Sequence, residues 1–187
     1  SAEVAAAAAW DYLQKHALKE FPGTKVLPTW VHDEGYVHTA SKQIKTLDDV
    51  KGLKLRAPTR LAGEALKALG ANGIPMPIPQ VPEALAQKVL DGAVVPWEVV
   101  PAIKVHELVK FHTDIGQSPT LYTATFVLAM NKAKYESLPA DLKKVIDANS
   151  GQYAASLAGK MWDEQAVVVE DMVKKRGNTI TVLEKAE

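Results

Sequence analysis

The chain has 187 residues, 47% of them apolar and 24% charged, a globular mix that excludes disordered, collagen-like and coiled-coil sequences. At roughly 150 residues per domain, that length predicts one large domain or two small ones. The 22 basic residues balance 22 acidic ones, so no whole-protein field is available to hold nucleic acid or an anionic membrane surface. Cysteine is absent, which removes disulfides, thiolate metal sites and cysteine nucleophiles together. The longest uncharged stretch, Ile115 to Asn131, contains Gly116, Gln117, Ser118 and Pro119 and does not read as a membrane-spanning helix. Ser1-Ala2-Glu3 shows neither a basic nor an apolar leader region, so any export signal is expected to have been removed or to lie outside the chain.

In chain order, the alanine-rich residues 2 to 19 predict an opening helix with Val4, Ala8, Tyr12 and Leu13 on one face, stopped by Phe21-Pro22-Gly23. Lys25 to His32 has the content of a buried strand, with Pro28 indicating an edge or a bend. Thr46 caps a short helical turn whose first residues include Asp48 and Asp49. Leu53 to Arg56 follows as a short strand, ended by Ala57-Pro58. Thr59 then caps a helix from Arg60 to Leu69 with Leu61, Ala65, Leu66 and Leu69 expected inward. The cycle repeats with a strand-like run Ile74 to Pro77, a helix from Pro82 to Leu90 and a strand Asp91 to Val95. Short strands alternating with helices predict an α/β fold. Thr120 to Met130 is a further strand, Leu138 to about Arg176 a helix near 35 residues long, and Thr179 to Leu183 a last strand.

The histidine pairs His32/His38 and His106/His112 are each six residues apart, which does not place both rings on one helix face, so no metal site is expected. No phosphate-binding or dinucleotide glycine motif and no nucleophile elbow is present, and no cofactor is expected. Glu64, Glu83, Asp91, Glu98 and Glu107 read as caps or solvated faces. Arg56 stands apart. It ends a strand just before a capped helix, where open α/β sheets bind ligands, and its planar fork of donors matches a carboxylate. From Lys42 to Lys67 seven basic residues face only Asp48, Asp49 and Glu64, a net basic region in a neutral chain. Pairing of Arg56 with a surface acid is the plain alternative. Trp97 follows a second strand end, where it either forms a wall beside the guanidinium or belongs to the core.

The run Lys45 to Pro58 (KTLDDVKGLKLRAP), followed by Gly70-Ala71, Met76-Pro77, Val81 to Leu85 and Asp91-Gly92-Ala93, resembles the solute-binding proteins of tripartite ATP-independent periplasmic (TRAP) transporters, of the dicarboxylate-binding-protein type. Val127 to Lys132 and Leu138 to Leu142 resemble that family too. The resemblance implies a periplasmic-binding-protein-like fold of two lobes, with mixed sheets and a long helix from about Leu138 spanning them. It implies no enzyme. The protein it describes is an extracytoplasmic, periplasmic protein that closes on a small organic acid and delivers it to the membrane permease subunits of the transporter. Arg56 holds the position of the family arginine that binds the ligand carboxylate. Tyr36 stands where sialic-acid-binding members use a second arginine, and Val95 where they carry an asparagine. These departures imply a less polar ligand, an aromatic or short aliphatic monocarboxylate. Thr59 and Ile78 fall at pocket-lining positions, with Trp97 beside them.

The family pattern further implies a ligand-binding lobe at 34–120 plus 161–187, and portions of the second lobe and the spanning helix at 1–33 plus 121–160. Family members exceed 250 residues, so the chain resembles a fragment that lacks the start of the N-terminal lobe and a C-terminal tail. Such a chain is expected to expose apolar surface and to self-associate. Two rivals are an α/β enzyme acting on a small carboxylic acid, with Glu98 beside Trp97, and an interaction domain without ligand.

Overall fold

The computed structural model describes residues 1–115 and 120–183; the parts of the expected lobe ranges at 116–119 and 184–187 lie outside them. The elements in chain order are α1 (Ala2–Tyr12), β1 (Thr24–Val31), β2 (Gly35–Thr39), β3 (Lys54–Ala57), α2 (Arg60–Ala68), β4 (Asn72–Pro75), α3 (Val81–Ala86) and β5 (Gly92–Pro96). They continue with α4 (Val99–Ala102), β6 (Phe111–Asp114), β7 (Thr125–Asn131), α5 (Lys132–Glu136), α6 (Ala140–Ala148), α7 (Gly151–Lys175) and β8 (Thr179–Val182). The chain divides into two compact units, Ser1–Asp33 with Thr123–Glu164, and Glu34–Tyr122 with Gln165–Glu187. No helix of the described residues is long and apolar enough to cross a membrane.

In the first unit β1 and β7 pair antiparallel, and the register slips between Val26 and Thr29, where Pro28 supplies no ladder donor. The amides of Ala2 and Glu3 at the start of α1 donate to the Asp163 carboxylate at 2.7 and 3.1 Å, satisfying two of the donors that a helix N-terminus leaves open. The small residues Ala2 and Ala6, with Leu13 just past the helix, are buried, whereas Val4 and Tyr12 are 70% and 64% exposed. Trp30 stacks on Phe126 at 5.5 Å, and Phe126 on Trp162 at 6.5 Å.

The second unit holds a six-stranded mixed sheet in the order β4-β3-β5-β2-β6-β8. Its central strand β5 is parallel to β3 and antiparallel to β2. Both faces of β5 are covered, so it reads as an unbroken apolar run. Val94 joins Val37, Leu55, Ile44 and Leu66 in one core cluster. Ala93 packs with Val81 and Leu85, and Val95 packs with Tyr36, Trp97, and Val169 and Val173 of α7.

Three expectations change. The helix from Leu138 to about Arg176 is two helices, α6 and α7, because Gly151 adopts φ +66°, a region that glycine enters without strain. Leu61, expected inward, is 80% exposed; the Thr59 cap phases α2 so that Ala62 and Leu66, four apart, face the sheet instead. The strand expected from Thr120 begins at Thr125. Strands β2 and β6 are additions. Their sequences, GYVHT and FHTD, are rich in polar residues, and their histidines are wholly buried opposite each other in the register His38↔His112.

Desolvation pulls the His38 ring down to about 3 and the His112 ring to about 4, from an ordinary value of 6.5. The unfolded chain therefore binds protons near pH 6.5 that the folded chain refuses. Stability should fall as pH drops from about 6.5 toward 4 and level off near 3. The slope is on the order of 1 kcal/mol per pH unit for each ring at its steepest. Urea denaturation across this range checks it, and a midpoint unchanged between pH 7 and 4.5 would contradict the buried neutral pair.

Candidate functional site

Strands β4, β3 and β5 run parallel, so their C-terminal ends share one edge of the sheet. The start of β2 reaches the same edge, with Gly35 opposite Pro96 and Tyr36 opposite Val95. Such an edge gathers loops at the strand ends, which is where open α/β sheets bind ligands.

Arg56 sits at the end of β3 at 6% exposure. Its Nε donates to the Met76 carbonyl at 3.0 Å and its Nη1 to the Val94 carbonyl at 3.0 Å. The second contact follows from the ladder. Leu55 pairs Gly92 and Arg56 pairs Ala93, and one further step would bring residue 58 to the Val94 carbonyl. Pro58 has no N–H to give, so the guanidinium takes that acceptor. No carboxylate among the described residues forms an ion pair with Arg56. Burial disfavours its charge and pulls its pKa down, opposed by the Tyr122 hydroxyl. Guanidinium nonetheless stays protonated in proteins. With Nε and one Nη1 hydrogen committed, Nη2 and the second Nη1 hydrogen are left to meet the two oxygens of a carboxylate.

The other expected positions divide. Tyr36 is buried, donates to Glu34 Oε1 at 2.7 Å and leans on the Trp97 ring at 4.8 Å; desolvation first, and then Glu34, raises its pKa. Val95 and Trp97 are wholly buried, and Ile78 is half-buried against the same cluster. Trp97 thus supports Tyr36 from within the core and presents no face to solvent within this unit. Thr59 accepts the Ala62 amide at 3.1 Å and lines a recess of about 340 Å³ with Gly63, Lys67 and Asn72. Glu98 is half-buried, and desolvation raises its carboxyl. Among the described residues no cluster of three or more His, Asp or Glu could hold a metal ion.

Three contributors carry no signal in the sequence pattern. The carbonyls of Met76 and Val94 orient Arg56, and backbone acceptors carry no residue signature. Tyr122 lies far along the chain; its ring covers Gly35, whose amide donates to the Tyr122 carbonyl at 2.9 Å, and any Cβ at Gly35 would collide with that ring. Glycine followed by an aromatic residue at a strand start is the only local hint.

Residues 3–187 match the family described as bacterial extracellular solute-binding protein, family 7. Among solved structures, a TRAP solute-binding protein from Rhodoferax ferrireducens with copurified benzoate is 47% identical, with a TM-score of 0.93 over 98% of this chain and 57% of that one. A marine metagenome TRAP solute-binding protein specific for aromatic acid ligands, co-crystallized with 3-hydroxybenzoate, is 44% identical, with a TM-score of 0.94 over 98% of this chain and 57% of that one. The 2,3-diketo-L-gulonate-binding periplasmic protein YiaO of Escherichia coli is 33% identical over 172 residues, 89% of this chain and 50% of that protein. The chain spans about half the length of the curated relatives it matches. The α/β fold is that of the TRAP solute-binding proteins, in the part this chain covers.

Replacing Arg56 by methionine relieves the desolvation of a buried cation but leaves two carbonyls unpaired. These opposed effects should keep the stability of ligand-free Arg56→Met within about 2 kcal/mol of the parent in urea denaturation. A loss of ~3–5 kcal/mol, the cost of breaking a buried ion pair, would instead mark Arg56 as one half of a structural salt bridge.

Proposed function

We propose that this chain, which belongs to the bacterial extracellular solute-binding proteins of family 7, captures a small aromatic monocarboxylate through Arg56 and serves a TRAP-type secondary transporter. The observation that carries the reading is the buried guanidinium, pinned by two carbonyls through Nε and Nη1, with no hydrogen bond from Nη2 and no carboxylate paired to it among the described residues. A cation kept dry without an anion is held at a cost that a bound carboxylate offsets. The unit Glu34–Tyr122 with Gln165–Glu187 is then the ligand-binding lobe. The aromatic preference rests on Tyr36, Val95 and Ile78, which bring little polarity to the sheet edge, and on the aromatic acids bound by relatives above 40% identity. The protein is a binder, not an enzyme; it works in the periplasm, and its partners are the acid and the membrane permease subunits.

A bidentate charge-assisted contact contributes ~1.5–3 kcal/mol, whereas micromolar affinity needs about 8 kcal/mol. Arg56 therefore anchors the acid, and apolar contact with its ring supplies the rest. In calorimetry, benzoate and 3-hydroxybenzoate should bind and D-glucuronate should not, and Arg56→Lys should weaken benzoate by about tenfold or more. Benzoate binding by Arg56→Lys at parental affinity would remove the assignment.

Self-association is the remaining expectation. Tyr153, Leu157 and Met161, spaced four apart on α7, are 61%, 57% and 40% exposed, an apolar stripe of the kind that pairs. Sedimentation velocity should show a dimer that grows with concentration; a monomer at every concentration would exclude it.

A further inference from the structure

Val94 and Val95 are consecutive in β5, so their carbonyls leave the strand on opposite sides. Arg56 takes the first from the β3 side, and His38 Nε2 meets the second from the β2 side at 3.1 Å. A carbonyl only accepts, so His38 Nε2 carries the hydrogen, and in the neutral ring Nδ1 is the acceptor. That Nδ1 lies 2.7 Å from Nδ1 of His112, which must therefore donate. His112 Nε2 is then an acceptor, and it lies 2.9 Å from Asn178 Nδ2, which also donates to the Val109 carbonyl at 3.2 Å. Flipping the Asn178 amide would set an oxygen against the Val109 carbonyl. Both ends of the chain thus dictate one direction, from Asn178 through His112 and His38 to Val95.

We propose that Asn178, His112 and His38 are positioning residues that clamp the end of β5 from the side opposite Arg56 and so hold the guanidinium in register for its carboxylate. The inference rests on the reading of Arg56 given above. All four ring nitrogens are engaged, so an added proton must break either the ring–ring contact or the Asn178 contact. The Val95 carbonyl favours that proton on His38, but burial and the facing ring outweigh it. The groups facing the pair are the Trp97 ring, 5.1 Å from His38 and 5.0 Å from His112, the Tyr36 phenol on β2, 6.4 Å from His38, and His106 before β6, whose charge opposes a charge on His112. The lowered pKa of both rings agrees with this arrangement.

Nitrogen-15 correlation spectra of the parent chain read the tautomers directly. The expected pattern is an Nδ1–H ring for His112 and an Nε2–H ring for His38. Benzoate affinity tests the role: glutamine at 38 can place its amide N–H near the position of Nε2, so His38→Gln should bind within about threefold of the parent, and His38→Phe about tenfold more weakly at unchanged folded fraction. Two Nε2–H rings, or His38→Phe binding as tightly as the parent, would overturn the proposal. If instead Arg56→Lys binds benzoate like the parent, the carboxylate reading is what fails, and the tautomer order still decides whether the clamp exists.

Discussion

Arg56 is held in the sheet edge at 6% exposure by two backbone carbonyls, with its charge stripped of water and no carboxylate beside it among the described residues. Charged groups removed from water are ordinarily paired, because desolvation costs several kcal/mol per ion. A fold can sustain the unpaired state only where the surrounding elements fix the group from several sides. Here β4 leads to the Met76 carbonyl, β5 supplies the Val94 carbonyl, and Pro58 keeps the latter out of the ladder. The sheet order makes this possible, since β3 lies between β4 and β5 with all three parallel.

The rest of the second unit keeps those three strand ends rigid. β5 is buried on both faces, and β2 locks its far side in antiparallel register through five consecutive pairs, from Gly35↔Pro96 to Thr39↔Gly92. Trp97, Tyr36 and Val173 pack in one buried cluster with Val95 of β5 and support that strand end from within the core. On the proposed reading such a site is stiff in its anchor and adaptable in its ligand, because one arginine would set where the carboxylate lies and the apolar surroundings would select the group attached to it.

The α/β class, the strand that ends at Ala57 with Arg56 in it, and the Thr59 cap were legible in the sequence because each rests on local chemistry: alternation ended by Ala57-Pro58, and a threonine placed to accept the Ala62 amide. Strands β2 and β6 were not. Histidine seldom marks a core position, and the cross-strand pairing of His38 with His112 is what makes these two compatible with one. The position of Trp97 at a strand end could be read, but its depth could not, because burial depends on α7 arriving more than 60 residues later. The break at Gly151 was hidden for a different reason, since glycine inside an alanine-rich helix pattern is tolerated unless its φ is positive. Tyr122 and the two carbonyls that orient Arg56 are products of topology alone.

The central claim is that the outer edge of the Arg56 guanidinium is a carboxylate receptor. A crystal structure of the chain grown with benzoate tests it directly. The predicted result places the two carboxylate oxygens about 2.8 Å from Nη1 and Nη2, with Nε still on the Met76 carbonyl. Benzoate bound elsewhere, with Arg56 contacting only Met76 and Val94, would contradict it.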